Sequence, residues 1–317
     1  ERVKTNKQIV AAYLHGSLIG DDALLGEVTD IDLTFVYRRG FAPEPAREFV
    51  QLASDIHLDI QHHDEADYKP PRALRVQPWL GNDVYDFLIL HDPRHVLDFV
   101  QAGVRNSFFE AEVVVERAEF FTQAARTLWS EHSQKWTELV FDCSRYFTAL
   151  ENADNAIVSL NGPPLPLRRM VATLPERMAD FNDDGLLAGF LGLAGLTNLE
   201  EIDLDAALLA WQDVYPVAAQ ENADMPLFRQ AYYRNAIQHW LDAGNKAAAV
   251  WILLNTWIKA VLSVDGEDSL KYKTPLEQFL GTLGFTRESL SERWAGLDLY
   301  LDKIEELFEN WKAAKGI

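Results

Sequence analysis

The sequence predicts an α+β N-terminal domain, a mixed sheet flanked by helices, followed by an all-α helical bundle. From Gln8 to about Pro93, apolar runs of strand length ("IVAAYLH", "IDLTFVY", "IHLDIQ") alternate with helix-like or loop segments ("PEPAREFVQLAS", "PRALRVQPWLGNDVYDFLIL"). Beyond Arg94 strand signals fade and helical spacing takes over. The 317 residues exceed one ordinary domain, so the expected division is residues 1–110 and 111–317.

Each element has its own signal. Leu139, Cys143, Tyr146, Leu150, Ala153 and Ile157 follow steps of four and three, which places them on one helix face. "NGPPLPLRR" (Asn161 to Arg169) ends that helix and begins the next, because proline cannot continue a helix but opens one well. Further helices are expected at about Pro226 to Asp242, Asn245 to Ser263, and Trp294 to Lys315, the last closing at Gly316. Gly185, Gly189, Gly192 and Gly195 follow no strand, so they read as close helix packing rather than a nucleotide fingerprint.

Composition narrows the function. The net charge of −20 excludes a phosphate-backbone binder, which needs faces rich in Lys and Arg, so nucleic acid is not an expected partner. The single cysteine, Cys143, permits no intrachain disulfide and reads as a small core residue of a cytoplasmic protein. The most apolar stretch, Ala247 to Leu262, is broken by Asn255 and Lys259, so no membrane span or secretory signal is expected.

The chemistry concentrates in "YLHGSLIGDDALLGEVTDIDLTFVY". Strand alternation points Asp30, Asp32 and Thr34 one way and Ile31, Leu33 and Phe35 into the core. Two carboxylates about 7 Å apart on one face need a partner, and hard oxygen donors at that spacing suit a divalent cation such as Mg²⁺. On "IHLDIQHHD" the same alternation aligns His57, Asp59 and Gln61. If the two strands are neighbours, Asp59 completes an acidic triad. A register slip would substitute Asp55 or Asp64. Gly16 and Ser17 end a strand, where a phosphate can approach the backbone and meet the Ser17 hydroxyl.

Gly16-Ser17, twelve residues, Asp30-Ile31-Asp32, then Asp59 in a later apolar strand resembles the signature of the DNA polymerase β-like nucleotidyltransferase superfamily: h-G-[GS], nine to thirteen residues, D-h-[DE]-h, and a third acid on a later strand. The resemblance covers roughly residues 9 to 95. "FLILHDPRHVL" also looks like the "LxDP" segment that often closes this domain in antibiotic nucleotidyltransferases. A transferase domain followed by helices is similar to the small-molecule branch, typified by kanamycin and streptomycin nucleotidyltransferases.

The resemblance implies transfer of a nucleoside monophosphate, AMP from ATP, to a hydroxyl of a small acceptor, possibly aminoglycoside-like, with release of pyrophosphate. It implies that Gly16 and Ser17 hold the β- and γ-phosphates, that Asp30 and Asp32 bind two Mg²⁺ ions, and that Asp59 binds the second metal or takes the acceptor proton. It further implies that Arg168 or Arg169 contacts the triphosphate, and a monomer or homodimer is expected. The rival readings are a regulatory or toxin-antitoxin type transferase modifying a protein or RNA, and a non-catalytic nucleotide-binding relative.

Other residues have plainer readings. Glu151, Asp154, Asp183 and Asp184 are candidates for a cationic acceptor, against solvated helix faces as the simpler explanation. His57, His62 and His63 read as histidines at the surface or behind the metal ligands, and Trp79, Trp251 and Trp257 as buried packing. Arg72 and Arg75 belong to either a nucleotide-facing loop or a hinge.

Overall fold

The computed structural model describes residues 2–20, 24–26, 29–54, 56–132, 137–266 and 269–317. The chain divides into two compact units, residues 1–117 and 118–317. The division falls inside one long helix, seven residues beyond the boundary expected from the sequence.

The first unit is built on five strands, β1 (Ile9–His15), β2 (Thr29–Tyr37), β3 (Arg47–Gln51), β4 (Ile56–Asp64) and β5 (Leu88–His91), in the order β3-β4-β2-β1-β5. Only β2 and β4 run parallel, and the other pairs are antiparallel. Helices α1 (Arg2–Thr5), α2 (Pro78–Tyr85) and α3 (Val96–Arg105) complete the unit.

Strand β3 corrects the sequence reading of "PEPAREFVQLAS" as helix or loop. Its five residues alternate, but they form an edge strand with both ends exposed, so neither face shows the apolar contrast that marks a half-buried strand.

A second correction concerns which face of the sheet is deeper. Ile31 and Leu33 were expected in the core but are only half-buried, while Phe35 is buried. The larger cluster lies on the aspartates' face, where Tyr13, Val36, Tyr68, Leu74, Val84, Phe87, Leu97 and Val104 pack together. The opposite face carries a smaller cluster of Ile9, Ala12, Phe35, Tyr37 and Ile60. Helices α2 and α3 pack on the aspartates' face through Val84, Leu97, Val100 and Val104.

Helix α4 (Ala111–His132) crosses the division. Among its described residues the second unit is built of helices: α5 (Leu139–Val158), α6 (Met170–Ala179), α7 (Asp184–Leu193), α8 (Leu204–Glu221), α9 (Arg229–Asp242), α10 (Lys246–Leu262), α11 (Ser269–Thr282) and α12 (Arg287–Lys315). Helix α10 is buried nearly all round, as a helix apolar on every face must be, and touches α5, α6, α8, α9 and α11. Trp251 and Trp257 are fully buried on it, with Trp251 edge-on to Phe147 and Phe190. Trp79, read as buried packing, is exposed. Cys143 is a buried core residue, as its helical setting suggests. Gly189 allows α7 to meet α12, since an added Cβ would lie 3.0 Å from the Tyr300 ring. No helix among the described residues is long and apolar enough to cross a membrane.

Candidate metal centre

Strand pairing brings the three acids together. In the parallel register of β2 with β4, Asp30 lies opposite His57 and Asp32 opposite Asp59, so all three aspartates share one face. One carboxylate oxygen from each lies within 4.8 Å of the others. This is tighter than the backbone spacing alone implies, because the side chains converge. Asp64, the alternative third acid, instead caps the turn at 65–68 through the Ala66 N–H and also accepts from the Gly40 N–H. Asp55 lies outside the described residues.

Burial makes the cluster electrically demanding. Asp30 and Asp59 are buried and Asp32 is half-buried. Loss of water first, then the neighbouring Asp30 charge, pushes the Asp32 carboxyl up to about 8, with Asp59 and Asp83 adding to the rise and His15 opposing it. Three carboxylates offering oxygen donors alone, one of them kept from ionising by burial and its acidic neighbours, fit a hard divalent cation and could hold one.

Gly16 sits directly against this cluster. It adopts a positive φ of 75°, and a Cβ there would fall 2.1 Å from Asp32 Oδ2. Glycine is therefore required twice, by the left-handed backbone and by the contact with the carboxylate. Ser17 follows in a one-turn 3-10 segment, Gly16–Ile19, with its Oγ 3.5 Å from Thr29 Oγ1.

Three neighbours of the site escaped the sequence reading. His15, opposite Asp32 on β1, is 4% exposed, and its ring joins Thr34 Oγ1 to Asp83 Oδ1, each at 3.1 Å. Burial pulls the imidazole down, but the hydrogen bond and charge of Asp83, with the charges of Asp32 and Asp59, outweigh it and leave the ring raised. The sequence signal was present, since His15 immediately precedes Gly16. Asp83 carried none, because it reaches the site from α2. Arg47 is the third: its Nε donates to Asp59 Oδ1 at 2.7 Å and its Nη2 to Asp59 Oδ2.

Further along β4, on the aspartates' face, runs a partly buried polar chain. Gln61 Oε1 meets His63 Nε2 at 3.0 Å, His63 Nδ1 meets the Tyr68 hydroxyl at 2.8 Å, and that hydroxyl meets Tyr13 Oη at 2.7 Å. His57 and His62 are buried rather than at the surface. Arg75 donates twice to the Gly103 carbonyl, which gives it a structural role, while Arg72 is exposed.

Arg168 and Arg169 belong to the second unit, just ahead of α6. The Arg168 guanidinium lies 3.6 Å from the Tyr232 ring centroid, and its carbonyl accepts from Trp240 Nε1. The second unit also holds a cavity of about 460 Å³ whose lining includes Ser144, Thr148, Glu151, Asn255 and Lys259. Burial pushes the Glu151 carboxyl up to about 7. Of the other acidic acceptor candidates, Asp154 is fully buried, Asp183 caps α7 and pairs with Lys303, and Asp184 is exposed.

Set against known proteins, the chain matches no family model and no curated protein, which leaves the residues of the centre to carry the functional reading.

Proposed function

We propose that the chain is a metal-dependent nucleotidyltransferase of the DNA polymerase β-like type, moving AMP from ATP to a hydroxyl of a small acceptor and releasing pyrophosphate. The observation that carries this reading is the convergence of Asp30, Asp32 and Asp59 beside Gly16. The spacing of Gly16-Ser17 from the Asp-Ile-Asp stretch supports it. The net charge of −20 favours a small or cationic acceptor over RNA.

In this reading Asp30 and Asp32 hold Mg²⁺, and Asp59 either completes the ligand set or receives the acceptor proton. When bound, Mg²⁺ supplies charge neutralisation at the phosphates and a more nucleophilic acceptor oxygen. Gly16 keeps the backbone beside Asp32 free of side chain, so that phosphate can approach, and Ser17 offers a hydroxyl at the strand's end. His15 is fixed beside the carboxylates by Asp83 and Thr34 and steadies their arrangement.

The test is thermal stabilisation by ATP, CTP, GTP and UTP, each with and without Mg²⁺, because a ligand that binds only the folded state raises the melting temperature. Stabilisation by ATP with Mg²⁺ in the wild type, absent in Asp30→Asn, is expected. Equal stabilisation of the Asp30→Asn protein sinks the assignment. No response to any nucleotide points instead to a relative that has lost the chemistry.

A further inference from the structure

Asp59 is the most deeply buried of the three acids at 2% exposure, yet both of its oxygens are engaged by a residue whose side chain is 46% exposed. Arg47 stands on edge strand β3 opposite Gln61, with Phe49 opposite Asp59. Alternation puts Arg47, Phe49 and Asp59 on the same face. The guanidinium runs along that face, 4.8 Å from the Phe49 ring centroid, and closes a two-pronged pair with the carboxylate. The same carboxylate has an oxygen within 4.8 Å of ligand atoms on Asp30 and Asp32. One positive group carried by the chain is thus bound to a member of the set that suits a divalent cation.

We propose that Arg47 is a tethered counter-ion that competes with the divalent cation for Asp59, and that filling the centre requires the guanidinium to give up at least one of its two bonds to that carboxylate. The inference rests on the metal-centre reading above. It extends that reading by naming a positioning residue that sets how much cation is needed to load the centre. The chemistry suits the task. A guanidinium stays charged at every working pH and binds carboxylate through a planar fork, so it neutralises Asp59 while the centre is empty. Its half-exposed position on an edge strand gives it room to leave, and Phe49 offers its ring face to the departing cation. The fork closes on Asp59 of β4, while Asp30 and Asp32 stand together on β2.

The experiment is calorimetric titration of Mg²⁺ into the wild type and Arg47→Gln at pH 8.5, where protons compete least for the carboxylates. Removing a positive charge held against a ligand is expected to tighten Mg²⁺ binding by about tenfold or more. Arg47→Lys, which keeps the charge but not the fork, is expected to fall between the two. In the wild type, the Arg47 Nε–H resonance is expected to move on saturation with Mg²⁺ and to stay in place in Asp30→Asn. If the wild type binds Mg²⁺ and Arg47→Gln binds it equally or more weakly, the competition is wrong and the metal centre stands. If neither protein binds Mg²⁺, the metal centre and the competition fall together. Should Arg47→Gln not fold, the wild-type resonance decides: an Arg47 signal unmoved by saturating Mg²⁺ overturns the proposal.

Discussion

Gly16 has no room for a side chain because Asp32 fills it: an added Cβ would lie 2.1 Å from the Asp32 Oδ2. The contact ties the turn after β1 to the carboxylate on β2, so turn and ligand stand or fall together. Gly16→Ala is expected to lower stability by about 1–2 kcal/mol from the left-handed backbone alone, and more once Asp32 is displaced. The matched measurement is Mg²⁺ affinity, which should fall together with the melting temperature. A folded Gly16→Ala protein with wild-type Mg²⁺ affinity would show that Asp32 is not a ligand.

Repulsion among the carboxylates is expected to make the cation-free protein sensitive to pH. The Asp32 carboxyl is raised to about 8 in the fold, so folding favours its neutral form. Its contribution to stability is complete below the unfolded carboxylate value near 4 and is lost as pH rises towards about 8. Asp32→Asn should therefore melt higher than the wild type at pH 8 without metal, and should gain nothing from Mg²⁺. A melting curve in which Asp32→Asn is less stable than the metal-free wild type at that pH would contradict this account.

In the helical unit, Asp154 and Tyr300 form a buried pair. Tyr300 Oη lies 2.8 Å from Asp154 Oδ1 and 3.0 Å from the Leu186 carbonyl, and one phenolic hydrogen serves only one of them. Burial first, with the Glu151 charge adding to it, holds Asp154 above the usual carboxylate range despite the hydrogen bond from Tyr300, so folding favours its neutral form. Stability from this group is present below the unfolded value and lost as pH climbs towards the raised one. Asp154→Asn keeps a neutral group there and should flatten that loss. Each kcal/mol regained at pH 9 is worth about 2–4 °C in a unit of this size, which differential scanning calorimetry across pH 5 to 9 resolves.

Arg126 on α4 reaches three acids on successive turns of α12: Asp298 at 2.5 Å, Asp302, and Glu305 at 2.8 Å. An isolated surface pair is worth about 0–1 kcal/mol, and a network sharing one ordered guanidinium exceeds that. Removing it from a chain of net charge −20 also leaves three acids facing one another. Arg126→Ala is expected to cost about 1–3 kcal/mol at low salt and clearly less at 1 M NaCl, where the screening length falls to about 3 Å. Denaturant titration at the two salt concentrations tests it, and a salt-independent loss would assign the effect to packing against Trp129 instead.

Legibility followed the range of the interactions. Periodicity located α5, α10 and α12 because burial on helix faces repeats locally, and the face marked by Cys143, Tyr146, Leu150, Ala153 and Ile157 is buried as expected, with Leu139 at its start only half-buried. Edge strand β3 escaped because a strand with one neighbour and two exposed ends has weak contrast between its faces. Arg47 escaped with it. Asp83 escaped for a different reason: its distance from His15 along the chain conceals a contact that only the docking of α2 creates.

What the sequence determined by itself was an α+β region followed by a helical one and the placing of Asp30, Asp32 and Asp59 on alternating strand positions, since the period of two is a property of the backbone. The tertiary structure decided that β2 and β4 are parallel neighbours in the register that opposes Asp32 to Asp59. It also decided that α2 and α3 pack on the aspartates' face. Both depend on packing between segments distant in sequence, and the strand register turns three separate aspartates into one buried cluster.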